Sequence, residues 1–263
     1  MSKTAKELAF LRDLYIETDW TERFTNLFDD NFKFADEEKL LYVNAGAGNH
    51  ALAVREKLNE EVEIFGVSES RELLNIARAK ADAIQSKVDF SIVYPAENFD
   101  AVLADATFVE PCELKGFLSK IAASANKQAA VFLATTSSFG EVYSLLWETL
   151  LNLDLAEKGA EVERLITRLP TILQVEETMK DLGLTKIETI VKSEFFDYDD
   201  GAAFVNSPLA ADFLFPAWLD FLDDRERAQV IEKLAETIDE DSSGGTNFQF
   251  SVKATLIVGE KTT

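Results

Sequence analysis

The sequence predicts an α/β fold with a doubly wound, mainly parallel sheet. Three observations predict it. Apolar runs of strand length alternate with amphipathic helical stretches from residue 38 to residue 136. A glycine turn, Asn44 to His50, joins the first run to the first helix. The run Ala129-Ala130-Val131-Phe132-Leu133-Ala134 is apolar throughout, as a strand covered on both faces must be. Strand–helix alternation implies right-handed crossovers and helices on both faces of the sheet.

Residues 3–17 and 20–35 read as two leading helices, because Leu8, Leu11, Leu14 and Tyr15, then Phe24, Leu27, Phe28 and Phe32, recur at helical spacing. The first strand is expected at 40–44. Gly46 and Gly48 have no Cβ, so backbone and ligand can approach closely there. The same two glycines would equally serve an ordinary strand-to-helix turn. Asn49 is read as the helix N-cap, followed by a helix from Ala51 to Leu58. A second strand is expected at 62–67. Ser70 caps a second helix whose face carries Leu73, Leu74, Ala77 and Ala81. Ser68 falls about 20 residues past the glycine turn, where dinucleotide-type folds meet a ribose.

Strands follow at 88–93 and 100–104. Pro111 then breaks the chain, and a helix at 113–123 leads to the fifth strand at 129–134. Ligands of such sheets sit beyond the carboxyl ends of the strands. That rule places Asn44, Ser68, Glu97, Asp105 and Thr135 on one rim. Helices beginning near Val142, at 160–168 and at 174–182 read as a helical lid over 137–182, closed by Gly183 at a C-cap position. Tyr143 and Trp147 on this lid either face an apolar substrate or pack the lid onto the body.

A strand is expected over 184–196, then an acidic turn at 197–201. Glu194, Asp197, Asp199 and Asp200 lack the spacing and the closing Glu of a calcium loop. Residues 202–222 are aromatic and interrupted by Pro208 and Pro216. A helix at 225–239, a turn at Ser242-Ser243-Gly244-Gly245 and a last strand over 248–258 complete the chain. The organisation expected is one domain: cap helices at 1–37, a core at 38–136, the lid at 137–182 and completing elements at 183–263.

Composition narrows the function classes. The chain has 263 residues, 47% of them hydrophobic, enough for one sizeable core. Its net charge of −22 argues against nucleic acid and anionic membranes as partners. One cysteine, Cys112, and one histidine, His50, exclude an intrachain disulfide and a conventional zinc site. No metal is expected. The first residues read as a charged helix and not a signal peptide, and no apolar run approaches the ~20 residues of a membrane span. A cytoplasmic protein with a small-molecule substrate is the expectation.

Three phrases together resemble the class I S-adenosylmethionine-dependent methyltransferases of the small-molecule type. They are Val43 to His50, Gly66-Val67-Ser68-Glu69-Ser70 with Leu74 to Ala81, and Asn98 to Asp105. The resemblance covers about residues 38–136. It implies a Rossmann-like sheet of seven strands, the last antiparallel, and S-adenosylmethionine as cofactor. By its motifs, Gly46, Gly48 and Asn49 form the cofactor turn, Asn44 meets the amino-acid end, Ser68 and Glu69 hold the ribose, and Glu97 approaches the adenine. Asp105 and Phe108 follow the fourth strand, where substrate and methyl group meet in that family; Asp105 is the candidate base.

The departures from the family pattern are specific. The family's acid before the first glycine is Asn44 here, its ribose acid is Ser68, its third glycine is His50, and the run Ile92 to Glu97 is shortened. Each lost charge-assisted hydrogen bond would cost roughly 1.5–3 kcal/mol of binding. A methyltransferase-like binding or scaffold protein is therefore the alternative. A nicotinamide-dependent oxidoreductase fits less well, because the ribose acid and third glycine are missing there too.

Overall fold

The computed structural model describes residues 3–34, 36–241 and 247–261. The chain divides into two compact units, one of residues 1–134, 171–192 and 254–263, the other of 135–170 and 193–253.

The first unit opens with α1 (Ala5–Leu11), started by a reciprocal capping box between Thr4 and Glu7. The chain continues without a break through a π-helical segment, Arg12–Thr21, into α2 (Glu22–Asn31). The two separate leading helices expected from the periodicity are thus one path. No Gly or Pro between 12 and 21 interrupts it. The wider π winding puts Ile16, Glu17, Trp20 and Thr21 on one buried face, and Phe24, Leu27 and Phe28 of α2 are buried as well.

The sheet strands are β1 (Lys39–Val43), β2 (Glu63–Val67), β3 (Val88–Ser91), β4 (Phe99–Asp105), β5 (Ala125–Thr135), β6 (Leu184–Tyr198) and β7 (Phe248–Lys261). Their order is β3-β2-β1-β4-β5-β7-β6. The pairs β1–β2, β1–β4, β2–β3 and β4–β5 are parallel, with Leu40 opposite both Ile64 and Ala101. The last strand, β7, is antiparallel. Its bonds with β6 run in opposite senses, Glu260 meeting Thr185 at one end and Gln249 meeting Asp197 at the other. The seven-stranded, mainly parallel expectation therefore holds.

The crossover helices of the first unit are α3 (Asn49–Lys57), α4 (Arg71–Ala83), α5 (Pro111–Ser124) and α8 (Ile172–Asp181). Pro111 opens α5 at its first turn, where a missing N–H costs nothing. Leu118 and Ile121 of α5, with Val175 and Met179 of α8, pack with Leu41, Val102, Val131 and Leu133 of the strands. Each such side chain contributes about 1.5–3 kcal/mol on burial.

The second unit contains α6 (Gly140–Asn152), α7 (Gly159–Arg168), α9 (Gly201–Val205), α10 (Phe215–Trp218) and α11 (Asp224–Asp241). Aromatic rings pack its interior. Phe196 stacks on Phe250 at 5.0 Å, and Tyr143 meets Trp218 edge-on at 5.0 Å. Burial raises the Tyr143 hydroxyl above its ordinary value. Trp147 lies directly on Gly159, with no room for a Cβ between them. The expected acidic turn is part strand and part cap: β6 runs on to Tyr198, and Asp200 accepts from the Ala203 N–H at 2.6 Å to start α9. The expected turn at 242–245 lies outside the described residues. No helix of the described residues is long and apolar enough to cross a membrane.

Candidate functional site

The candidate site grows from the carboxyl end of β1. Asn44 and Gly46 both have φ near 56°, and Gly48 has φ 84°. Ala45 N–H donates to the Val67 carbonyl at 2.8 Å, and Gly48 N–H to the Ala45 carbonyl at 2.8 Å, so the turn is tied to β2 and to itself. Gly48 is the cap residue of α3, which corrects the reading of Asn49 as N-cap. A left-handed cap position suits glycine, and Asn49 already lies in the helix. The Asn49 amide instead donates to Asp13 at 3.1 Å and accepts from Lys80 at 2.5 Å. The Phe90 ring fills the space above two glycines: a Cβ on Gly48 would lie 2.8 Å from it, and one on Gly66 2.5 Å.

Charged side chains gather at this turn. Gly46 N–H donates to Glu69 Oε2 at 3.0 Å, and Glu69 Oε1 pairs with Arg12 Nη2 at 2.6 Å. The Arg12 guanidinium also lies 5.1 Å from the ring centre of Phe108, which packs against Trp20 at 5.7 Å. Burial alone would lower the Arg12 pKa, but Glu69, Asp105 and Glu17 together raise it. Glu17 is 9% exposed, and its Oε1 lies 2.7 Å from where a Cβ on Gly46 would sit. Burial pushes the Glu17 carboxyl up to about 8; Arg12 opposes that rise, and Asp105 and Glu69 add to it.

Asp105 ends β4 and is buried. Its Oδ1 accepts from both the N–H and the hydroxyl of Thr107, at 2.8 and 2.6 Å. Burial raises its carboxyl to about 6 against the pull of Arg12 and these bonds. Asn44 donates from Nδ2 to the Asp105 carbonyl at 2.9 Å, joining the ends of β1 and β4. Ser68 is 2% exposed, and its hydroxyl has no hydrogen-bond partner among the described residues. Arg12 Nε is likewise buried with no partner among those residues. Beside Asn44 and Phe108 opens a cavity of about 500 Å³, lined further by Val109, Cys112, Phe117 and Lys120.

The structure thus brings Asn44, Gly46, Gly48, Asn49, Ser68, Glu69, Asp105 and Phe108 to one end of the strands. It does not bring Glu97. Glu97 precedes β4 and pairs at 2.6 Å with Lys39, the first residue of β1; Lys39 also meets Glu63, the first residue of β2. Glu97 is therefore at the amino ends of parallel strands, opposite the rim assigned to it. Tyr143 and Trp147 belong to the second unit. His50, in place of a third glycine, accepts or donates within a buried chain, its Nδ1 2.8 Å from the Tyr42 hydroxyl and its Nε2 3.1 Å from Asp29. Arg12 and Glu17 were not foreseen as site residues. Five residues apart, they fall on different faces of an α-helix and come together only on a π winding.

The sheet order and similar solved structures agree. The chain has the class I methyltransferase fold. The YcgJ protein of Bacillus subtilis superposes with a TM-score of 0.57 at 16% identity, over 92% of this chain and 99% of that one. A putative methyltransferase from Bacillus halodurans gives 0.52 at 15% identity, over 92% of this chain and 100% of that one. Phosphoethanolamine N-methyltransferase 2 of Haemonchus contortus, solved with phosphomonomethylethanolamine and S-adenosylhomocysteine, gives 0.56 at 12% identity, over 100% of this chain and 59% of that one. No protein-family model and no curated protein matches the sequence. In the methyltransferase fold of this chain, the glycine turn, Ser68 and Asp105 stand at the carboxyl ends of β1, β2 and β4.

Proposed function

We propose that the protein binds S-adenosylmethionine at the glycine turn and directs its methyl group to a small molecule. One observation carries the reading: two buried polar atoms with no partner among the described residues, the Ser68 hydroxyl and Arg12 Nε, gather at the end of the strands that carries the glycine turn. Such atoms cost about 1–3 kcal/mol each unless a guest satisfies them. The carboxyl groups of Glu69 and Asp105, with the Glu17 carboxyl beside them, face the guanidinium of Arg12. That excess of negative charge suits a cationic guest, so the donor set fits the sulfonium nucleoside.

The bound cofactor would supply an electrophilic methyl group on positively charged sulfur. The chain's own residues do the rest. Ser68 and Glu69 would hold the ribose hydroxyls, and Asn44 fixes the distance between the turn and β4. Phe108 and Trp20 exclude water from one side. Asp105, with Oδ1 committed to Thr107, would take a proton at Oδ2 from the attacking group. Because its pKa is raised to about 6, it is mostly ionised at neutral pH and still basic enough to accept that proton.

Calorimetric titration of the purified protein with S-adenosylmethionine and S-adenosylhomocysteine tests the reading. Micromolar binding is expected; no heat and no thermal shift at millimolar ligand overturns it. A second reading, a binding or scaffold protein without turnover, is favoured by Glu17 lying against Gly46 and by Glu69 already occupying the Gly46 N–H. Tight binding without methyl transfer to any small-molecule acceptor would select it. Ser68→Ala separates structural from binding roles. It leaves the melting temperature unchanged or slightly raised, because the hydroxyl has no internal partner to lose. Cofactor affinity falls by roughly three- to tenfold, the worth of one neutral hydrogen bond. Undiminished affinity would remove Ser68 from the site.

A further inference from the structure

We propose that Glu17 receives a positive charge of the bound nucleoside at the glycine turn, restoring from the N-terminal segment the acid that position 44 lacks. The inference rests on the proposed function and assigns a recognition role to a residue outside every motif of the fold. Glu17 is nine-tenths buried, and no described residue donates a hydrogen bond to its carboxylate. Its Oε1 lies over Gly46, 2.7 Å from the Cβ position. A buried carboxylate in that state is costly and is retained where something else answers it.

The neighbours do not answer it. Arg12 is the nearest cation in effect, but its Nη2 is committed to Glu69 at 2.6 Å. Lys80 is committed to Asp13 and Asn49. Asp105 and Glu69 add negative charge, and burial with these two keeps the Glu17 proton on at neutral pH. A guest carrying an ammonium or sulfonium would take the place of that proton. The ligand class selected is a nucleoside with a cationic tail, in preference to a neutral one.

The test uses the full chain and three probes in calorimetric titrations: S-adenosylmethionine, with sulfonium and ammonium; S-adenosylhomocysteine, with ammonium alone; and adenosine, with neither. For Glu17→Gln the affinity for S-adenosylmethionine is expected to fall roughly ten- to hundredfold, as for a lost charge-assisted bond, with adenosine unaffected. An equal loss for S-adenosylhomocysteine assigns the ammonium; loss for S-adenosylmethionine alone assigns the sulfonium. Either supports the proposal. Unchanged affinity for S-adenosylmethionine, or an equal loss for all three probes, overturns it while leaving the proposed function standing. No binding of any probe by the wild-type protein overturns both. A second measurement needs no variant: at pH 7, titrations in buffers of different ionisation enthalpy should show proton release with S-adenosylmethionine and none with adenosine. Binding without that release overturns the proposal.

Discussion

Glu17→Gln makes the ligand-free protein more stable at pH 9 and leaves it unchanged at pH 4. The wild-type carboxyl has its folded pKa raised from 4.5 to about 8, chiefly by burial. The folded state therefore holds its proton where the unfolded state has lost it. Below the unfolded value both states are protonated and stability is at its full level. Between about 4.5 and 8 the wild type loses stability as pH rises, and above 8 the loss is complete. A displacement of this size corresponds to at most roughly 5 kcal/mol. Glutamine keeps the shape and removes the titration. Urea unfolding of both proteins from pH 4 to pH 9 should give curves that meet at the acid end and diverge upward for the variant. Parallel curves would show that Glu17 ionises normally in the fold. Asp105, raised to about 6, adds a similar but smaller slope over lower pH, common to both proteins.

Gly201→Ala unfolds the second unit more severely than any surface change. A Cβ at Gly201 would overlap the backbone carbonyl of Ala235 in α11 and lie 2.8 Å from its Cα. A flexible side chain could swing aside; a helix backbone cannot. Gly201 N–H also donates to Asp239 of α11 at 2.7 Å, so the two helices cannot separate here without losing that bond. Overpacking against rigid atoms costs typically 1–3 kcal/mol, and the backbone contact places this substitution at about 3 kcal/mol or more. Gly116→Ala is the control. No described residue lies within 4 Å of its Cβ position inside α5, so it should stabilise by about 0.5–1 kcal/mol. Thermal unfolding should move in opposite directions for the two variants; a harmless Gly201→Ala would show that α9 and α11 slide apart freely.

Much of the first unit was legible because its signals are local. Apolar strand runs, Ser70 as a cap and the helical face of Leu73, Leu74, Ala77 and Ala81 each depend on a few neighbouring residues. The positions of Asn44, Ser68 and Asp105 followed from a rule about strand ends. Glu97 failed under the same rule, because it precedes a strand and the rule concerns where strands finish. Asn49 was misplaced by one residue, since glycine in a left-handed conformation took the cap. Arg12 and Glu17 were hidden for a deeper reason. Their winding has no signature at α-helical spacing, and their charge made an exposed face the natural assignment. The aromatic excess of the second half was visible as composition. That Phe196 and Phe204 both contact Phe250 was not, because those contacts join residues distant in sequence.

Phe90 gives the glycine turn an origin outside itself. Its ring rests on Gly48 and Gly66, and its carbonyl is gripped by both Arg78 Nε and Nη2, at 3.0 and 2.7 Å. β3 is the border strand of the sheet and only four residues long. The contour of the glycine turn is thus moulded by a neighbour at the periphery. Shrinking that ring would let both glycines wander, and enlarging either glycine would dislodge the border, so the three positions must change together or not at all.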